Sequence, residues 1–297
     1  MTNILILGKT GMLGSMLYYY FSKQGNYQVF TTSRNNSTDR NLTFDAESPD
    51  FESLSGFISG NGIEYILNAI GVIKPFCKDD DPEGVRRAIL VNASFPHRLA
   101  QLSGRLNTRL IQIATDCVYD GSQGTYDENS PHNALDFYGR TKSLGEVRDG
   151  SMLNIRCSIV GPEAKSKVSL LEWFLKQESE VKGFTHHNWN GITTLRFAQL
   201  IDEIIKNGMY NELVKKSHVL HFVPDYTLTK YEMLEIFRRV FEKSVQITPV
   251  NDVGTPIDRT LATIFSDLKQ FSNINFEDDI RKLKDLMDKD FYTYQTN

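Results

Sequence analysis

Apolar and polar residues alternate along this chain in two rhythms that repeatedly replace one another. Ile4-Leu5-Ile6-Leu7 is an unbroken apolar run closed by Gly8, the pattern of a strand buried on both faces. Tyr27 to Thr32 predicts a second strand, and Phe44-Asp45 the end of a short third. Tyr65 to Gly71 and Arg109 to Ala114 read as further strands, the former running out in small residues. Helical periodicity marks Ala88 to Ser103, and Glu232 to Lys243 and Phe276 to Lys289 read as amphipathic cover. This β-α-β rhythm predicts an α/β fold, a doubly wound parallel-sheet (Rossmann) domain over residues 1–160. Residues 161–297 are expected to form a smaller C-terminal α/β domain, with some segments returning to the first. No internal repeat, low-complexity tract or long linker interrupts the pattern.

The first strand opens into Gly8-Lys9-Thr10-Gly11-Met12-Leu13-Gly14. Gly-Lys-Thr ends a P-loop, but that motif needs a glycine where Asn3 stands, inside the strand. The three glycines fit a dinucleotide-binding turn instead. Gly8 permits the turn, Gly11 lets a pyrophosphate approach the helix N-terminus, and Gly14 lets helix and strand pack closely. No acidic residue follows the second strand, where one would hold the 2′-hydroxyl of NAD. Ser33 and Arg34 stand there and suit a 2′-phosphate, so the expected cofactor is NADPH, with NADH as the alternative. Asp45 is placed for the adenine amino group. Asn68, Ala69 and Ile70 close the next strand beside the cofactor, and Asn92 lies on the helix that follows.

Tyr138 and Lys142, in Phe137-Tyr138-Gly139-Arg140-Thr141-Lys142, share one helix face. A free tyrosine titrates near 10, too high for easy proton transfer at neutral pH. An ammonium about 5 Å away, at an effective dielectric of ~20, stabilises the phenolate by roughly 3 kcal/mol, or about two pKa units. Thr115, ending the preceding strand, can hydrogen-bond a carbonyl oxygen. The chain thus offers a Thr/Tyr/Lys constellation beside a dinucleotide turn, suited to acid–base chemistry at a carbonyl.

These residues resemble the extended short-chain dehydrogenase/reductase superfamily, and more narrowly the dTDP-4-dehydrorhamnose reductase family of nucleotide-sugar enzymes. The resemblance spans nearly the whole chain. It rests on the glycine turn, "ATDCVYDG" (the family reads STDYVFDG), "YGRTKSLGE", "NIRCSIVG" and "DRTL" at Asp258 to Leu261. Ser169 to Thr194 is similar to a polysaccharide-locus subgroup. The resemblance implies Thr115, Tyr138 and Lys142 as catalytic residues, with Lys142 also on the nicotinamide ribose. It implies that residues 161–297 close over a nucleotide sugar, whose C4 ketone is reduced in surface-polysaccharide sugar synthesis. Cys117, Val118, Trp189 and Arg259 are the candidate substrate-binding residues, and Arg259 suits equally a diphosphate, a sugar hydroxyl or a structural salt bridge.

One departure matters. Cys117 stands where family reductases carry tyrosine, and in GDP-fucose synthase a cysteine at the matching place moves protons beside the ketone. A combined epimerase and 4-reductase is therefore an alternative. Its partner acid has no clear match, so His186 or His187 would have to serve; a small packing cysteine is the simpler reading. Two other functions stay open: a redox-neutral 4-epimerase retaining NAD, and a noncatalytic NADP-binding regulatory protein, of which the methionine adenosyltransferase regulatory subunit is a family example.

Composition narrows the setting. The net charge of −4 argues against nucleic acid or an anionic membrane as partner. Cys77, Cys117 and Cys157 are scattered and odd in number, as in a reducing cytosol, and no spacing suggests a metal site. No signal peptide and no apolar run of the ~18 residues a membrane span needs is recognisable. The expectation is a soluble cytoplasmic protein, with a homodimer left open.

Overall fold

The computed structural model describes residues 1–35, 38–163, 165, 167–251 and 254–294. Strand β1 (Thr2–Leu7) leads through α1 (Met12–Ser22) to β2 (Tyr27–Ser33) and a short β3 (Asn41–Thr43). Then come α2 (Phe51–Gly60), β4 (Tyr65–Asn68), α3 (Pro82–Ala88), α4 (Phe95–Leu106), β5 (Arg109–Ala114), α5 (Phe137–Leu144) and β6 (Leu153–Arg156). The remainder comprises β7 (Ile159–Val160), α6 (Leu170–Leu175), β8 (Glu180–Phe184), β9 (His187–Trp189), β10 (Ile192–Thr193), α7 (Thr194–Lys206) and α8 (Tyr210–Lys216). It ends with β11 (Val219–His221), β12 (Leu228–Thr229), α9 (Lys230–Val240), β13 (Gln246–Val250), β14 (Ile257–Asp258), α10 (Phe276–Lys289) and α11 (Phe291–Tyr294).

Seven strands form one parallel sheet in the order β11-β6-β5-β4-β1-β2-β3. This is the doubly wound α/β architecture read from the sequence. Alternation in β1 serves both faces: Ile4 and Ile6 enter one core, Leu5 and Leu7 the other. Strand order reverses between β1 and β4, which opens a crevice at their carboxyl ends. β11 returns from the C-terminal half to extend the sheet, and α7 packs on α1. Three small sheets, β7/β10, β9/β12/β14 and β8/β13, carry the rest of that half. Phe174, Phe237, Phe276 and Leu283 share a core with Ile4 and Leu17, so the C-terminal elements are fastened to one face of the sheet.

Local departures have side-chain causes. β4 stops at Asn68, whose carboxamide turns back on the chain, accepting from the Ile70 N–H (3.2 Å) and donating to Gln112 Oε1 (2.7 Å). The helix expected over Ala88 to Ser103 contains a π-helical turn, Ile89–Ser94, before α4 begins. There Asn92 receives the Val72 N–H (2.8 Å) and donates to the Val72 carbonyl (2.9 Å), pinning the loop after β4. β3 ends at Thr43, just short of Phe44. Among the described residues no helix is long and apolar enough to cross a membrane, and no cluster of ligating side chains could hold a metal.

Candidate active site

The glycine turn lies at the strand-order reversal. Gly8 adopts φ +84°, and a Cβ on Gly14 would lie 2.0 Å from the Gly8 carbonyl oxygen, so α1 can rest on β1 only with glycine there. Gly11 is different: a Cβ would meet only the Gly8 oxygen at 3.6 Å, so nothing in the fold requires its bareness, and the exposed side of the turn is open to a ligand. Gly11 caps α1 without a side-chain hydrogen bond and the first turn carries no acid, leaving N–H groups and the positive helix end for an anion. Thr10 and Met12 are half-exposed beside them; the Leu13 side chain is core, so Leu13 and Gly14 offer only backbone.

β2 brings its end to this turn, where Gly8 N–H meets Thr32 Oγ1 (3.2 Å) and Lys9 N–H meets the Thr32 carbonyl (3.2 Å). Ser33 receives the Asn41 amide (3.0 Å), while Arg34 projects exposed. Asp45 is exposed after β3, and Ala69 and Ile70 are half-buried after β4. Asn68 and Asn92 are not ligand groups as they stand: their buried carboxamides are spent on the protein's own hydrogen bonds, and they support the crevice rather than line it.

The second constellation stands at the end of β5. Thr115 caps a single 3-10 turn, Asp116–Val118: its hydroxyl accepts from the Cys117 N–H (3.2 Å) and donates to Asp116 Oδ1 (3.2 Å). α5 begins at Asp136, whose carboxylate accepts from Gly139 N–H (2.8 Å) and pairs with Lys74 (2.8 Å), while Asp79 accepts from Phe137 N–H (3.0 Å). Gly139 lets this helix seat against the turn, since a Cβ would stand 2.3 Å from the Cys117 carbonyl oxygen. The result sets the phenol of Tyr138 beside the Thr115 turn, within electrostatic reach of Thr115, Asp116 and Cys117. Lys142, one helical turn on, donates to the Ile113 carbonyl (3.2 Å).

The electrostatics differ from the sequence expectation. Burial pushes the Tyr138 phenol up, and the nearby Cys117, Asp116 and Cys77 add to that; the neighbouring Thr115 acts the other way. Burial also lowers the Lys142 ammonium, with Glu146 and Cys117 acting the other way. The protein's own groups therefore keep Tyr138 as a proton donor instead of easing it toward phenolate. Cys117 is likewise raised by burial and by Asp116, to about 12, so it is a protonated thiol and a poor base.

Of the expected substrate residues, two are corrected. Val118 is fully buried with Tyr119, Tyr126 and Leu261, and Trp189 is core, its indole donating to Ser158 Oγ (2.8 Å) and meeting Phe276 edge-on. Both fill the space between elements rather than face a ligand. Arg259 is held by the carbonyls of Tyr119 (2.8 Å) and Asp120 (3.1 Å), with no salt bridge to it among the described residues. His187 reaches the Thr255 carbonyl (3.3 Å); the ring nitrogens of His186 are enclosed without a partner among the described residues.

Sequence reasoning missed Lys230. Its ammonium, 5.3 Å from the Trp189 ring, feels Asp116, Cys117 and Arg259, and burial lowers its pKa. It occupies the first turn of α9, where a cation opposes the helix dipole. That local inconsistency was the available signal. Lys230 and Arg259 lie near enough to His187 to help burial hold its imidazole neutral.

The model of the RmlD substrate binding domain family matches residues 1–274. The chain belongs to that family. It is an RmlD-like member of the extended short-chain dehydrogenases/reductases. Among curated relatives, the RmlD-like chain is 29% identical to methionine adenosyltransferase 2 subunit beta of Xenopus tropicalis over 266 residues, covering 84% of this chain and 75% of that one. It is 29% identical to the dTDP-4-dehydrorhamnose reductase of Mycolicibacterium smegmatis over 149 residues, covering 48% of this chain and 40% of that one. In fold it is similar to a dTDP-4-dehydrorhamnose reductase from Clostridium acetobutylicum, with TM-score 0.72, 18% identity, and coverage of 97% and 100%. It is also similar to the Bacillus anthracis dTDP-4-dehydrorhamnose reductase in complex with NADP, with TM-score 0.73, 16% identity, and coverage of 96% and 99%.

Proposed function

We propose that this RmlD-like protein uses NADPH to reduce the C4 ketone of a nucleotide-linked 4-keto-6-deoxy sugar, in cytoplasmic synthesis of surface-polysaccharide sugars. The observation that carries this reading is the placement of the Tyr138 phenol beside the Thr115–Cys117 turn, with Lys142 one helical turn away, beside an open dinucleotide turn. The uncapped α1 terminus, the bare side of Gly11 and the exposed Arg34 fit a dinucleotide with a 2′-phosphate. When bound, that cofactor supplies a hydride to C4. Tyr138 gives its proton to the ketone oxygen as charge develops there. Thr115 orients that oxygen by turning its hydroxyl from Asp116. Lys142 contributes positive charge to the same corner. Lys230 and Arg259 hold the anionic nucleotide portion.

The test is NADPH oxidation against dTDP-, GDP-, UDP- and CDP-linked 4-keto-6-deoxy sugars, with product stereochemistry read by NMR. Turnover on one member names the substrate. The coverage by methionine adenosyltransferase 2 subunit beta favours a second reading, a noncatalytic NADP-binding partner protein. Silence across the panel, with NADPH and sugar nucleotide still bound, selects it.

A further inference from the structure

Arg156, the arginine of "NIRCSIVG", is wholly buried at the end of β6, and no step above uses it. Its guanidinium donates to Tyr119 Oη (2.8 Å), to Nε2 of His221 (2.6 Å) and of His132 (2.8 Å), and to both oxygens of Glu146 (2.6 Å each). Each imidazole accepts at Nε2, so its proton is on Nδ1: His132 turns that proton to Ser143 Oγ (2.6 Å), His221 to the Ala262 carbonyl (2.7 Å). Both rings are therefore neutral, as burial and the neighbouring Arg156 demand. The charges of this network are then the buried Arg156 and Glu146, with the half-buried Lys142 beside them and the buried carboxylate of Asp116 at the Tyr138 corner beyond.

Glu146 lies four residues after Lys142, close enough to support its ammonium. Yet both carboxylate oxygens are committed to Arg156, and the Lys142 ammonium rests on the neutral Ile113 carbonyl. A carboxylate and an ammonium enclosed together would otherwise form an ion pair. We propose that Arg156 is a positioning residue: by engaging both oxygens of Glu146 it keeps that carboxylate from capturing Lys142, and so leaves the lysine free to meet the cofactor and the Tyr138 corner. The arrangement also ties the end of α5, through Ser143 and Glu146, to β6 and β11. The inference rests on the cofactor and proton-transfer reading of Lys142.

The experiment measures NADPH binding by fluorescence titration, and turnover on whichever sugar nucleotide the protein reduces. Arg156→Met frees Glu146 to pair with Lys142, which should weaken NADPH binding about tenfold, the size of one lost charge-assisted hydrogen bond. The double variant Arg156→Met/Glu146→Gln removes the competing carboxylate and should return binding to within about threefold of the parent. A merely structural role also predicts some rescue, because the second change neutralises a stranded buried carboxylate. Glu146→Gln alone separates the two: it leaves NADPH binding within about twofold of the parent if Glu146 is only a competitor for Lys142, and weakens binding if the Arg156–Glu146 pair matters as structure. Unchanged binding in folded Arg156→Met, or a double variant weaker than the single, overturns the inference. Should Arg156→Met fail to fold, Arg156→Lys is read instead: one ammonium holds Glu146 less completely than a guanidinium, binding should fall severalfold, and Glu146→Gln should restore it. Lys142→Met separates the two levels: if it leaves NADPH binding and turnover intact, the reading of Lys142 fails; if it lowers them while Arg156→Met does not, the positioning inference alone fails.

Discussion

The two ends of the crevice are built from different materials. The dinucleotide end is backbone: a bare turn, the free N–H groups of α1 and two glycines whose smallness permits approach. The reacting end is side chains, with Tyr138 and Lys142 enclosed against Thr115, Cys117 and Asp116, backed by a buried arginine with two neutral histidines. Backbone groups do not titrate and are hard to delete singly. Enclosed side chains do titrate and each can be removed, so the two ends should fail under different insults.

Tyr138→Phe gives the sharpest contrast. It removes one oxygen from the reacting end and nothing from the glycine turn. Turnover should fall by about 10²–10⁴-fold, the usual contribution of a positioned proton donor, with NADPH affinity within about twofold. Steady-state rates and a fluorescence titration check both halves. An active Tyr138→Phe enzyme would take the acid role away from Tyr138 and dissolve the contrast.

Acid is the second insult. His132 and His221 are pushed down to about 4 from the ordinary 6.5, first by burial and then by Arg156. Between those values the unfolded chain binds more protons than the folded one, so stability is complete above pH 6.5 and falls as pH drops toward 4. The loss should be on the order of a few kcal/mol for the pair. Carboxylates held down by hydrogen bonds, such as Asp120 at about 2, lose their contribution only at lower pH. Urea midpoints at pH 7, 6 and 5 would reveal the slope, and His132→Gln should flatten part of it. A level profile over that range would mean that the histidines are not neutral, and that the network around Arg156 is arranged differently.

The same contrast explains what could be read from the sequence. The glycine turn and the Tyr138/Lys142 pair are local patterns, a strand-to-turn run and a four-residue spacing, and both survive in one dimension. Lys230 and Arg156 owe their surroundings to packing between distant segments: Lys230 lies over Trp189 and feels the Asp116–Cys117 turn, and Arg156 joins residues from four other segments. Each left only a local oddity, a cation in a helix's first turn and a charge closing a buried strand. Trp189 and Val118 misled for the converse reason. Each lies in a run that turns into the core: Tyr119 is buried with Val118, and Asn190, after Trp189, is buried with its carboxamide on Leu261.

The smallest effect probes the backbone end through an exposed side chain, Arg34. Arg34 stands beyond β2, beside the Gly8 turn, where a 2′-phosphate would reach it. An exposed guanidinium on a phosphate is worth roughly 1 kcal/mol, because water screens it. Arg34→Ala should therefore weaken NADPH binding by about five- to tenfold and leave NADH binding unchanged. Raised salt should erase much of the difference, since the charges are solvated. Equal losses for both cofactors would place Arg34 on the shared pyrophosphate instead, and no loss for either would return NADH to equal standing. Only the second result would confine this end's recognition to the glycine turn, making selectivity, like catalysis, a property of side chains that this end lacks.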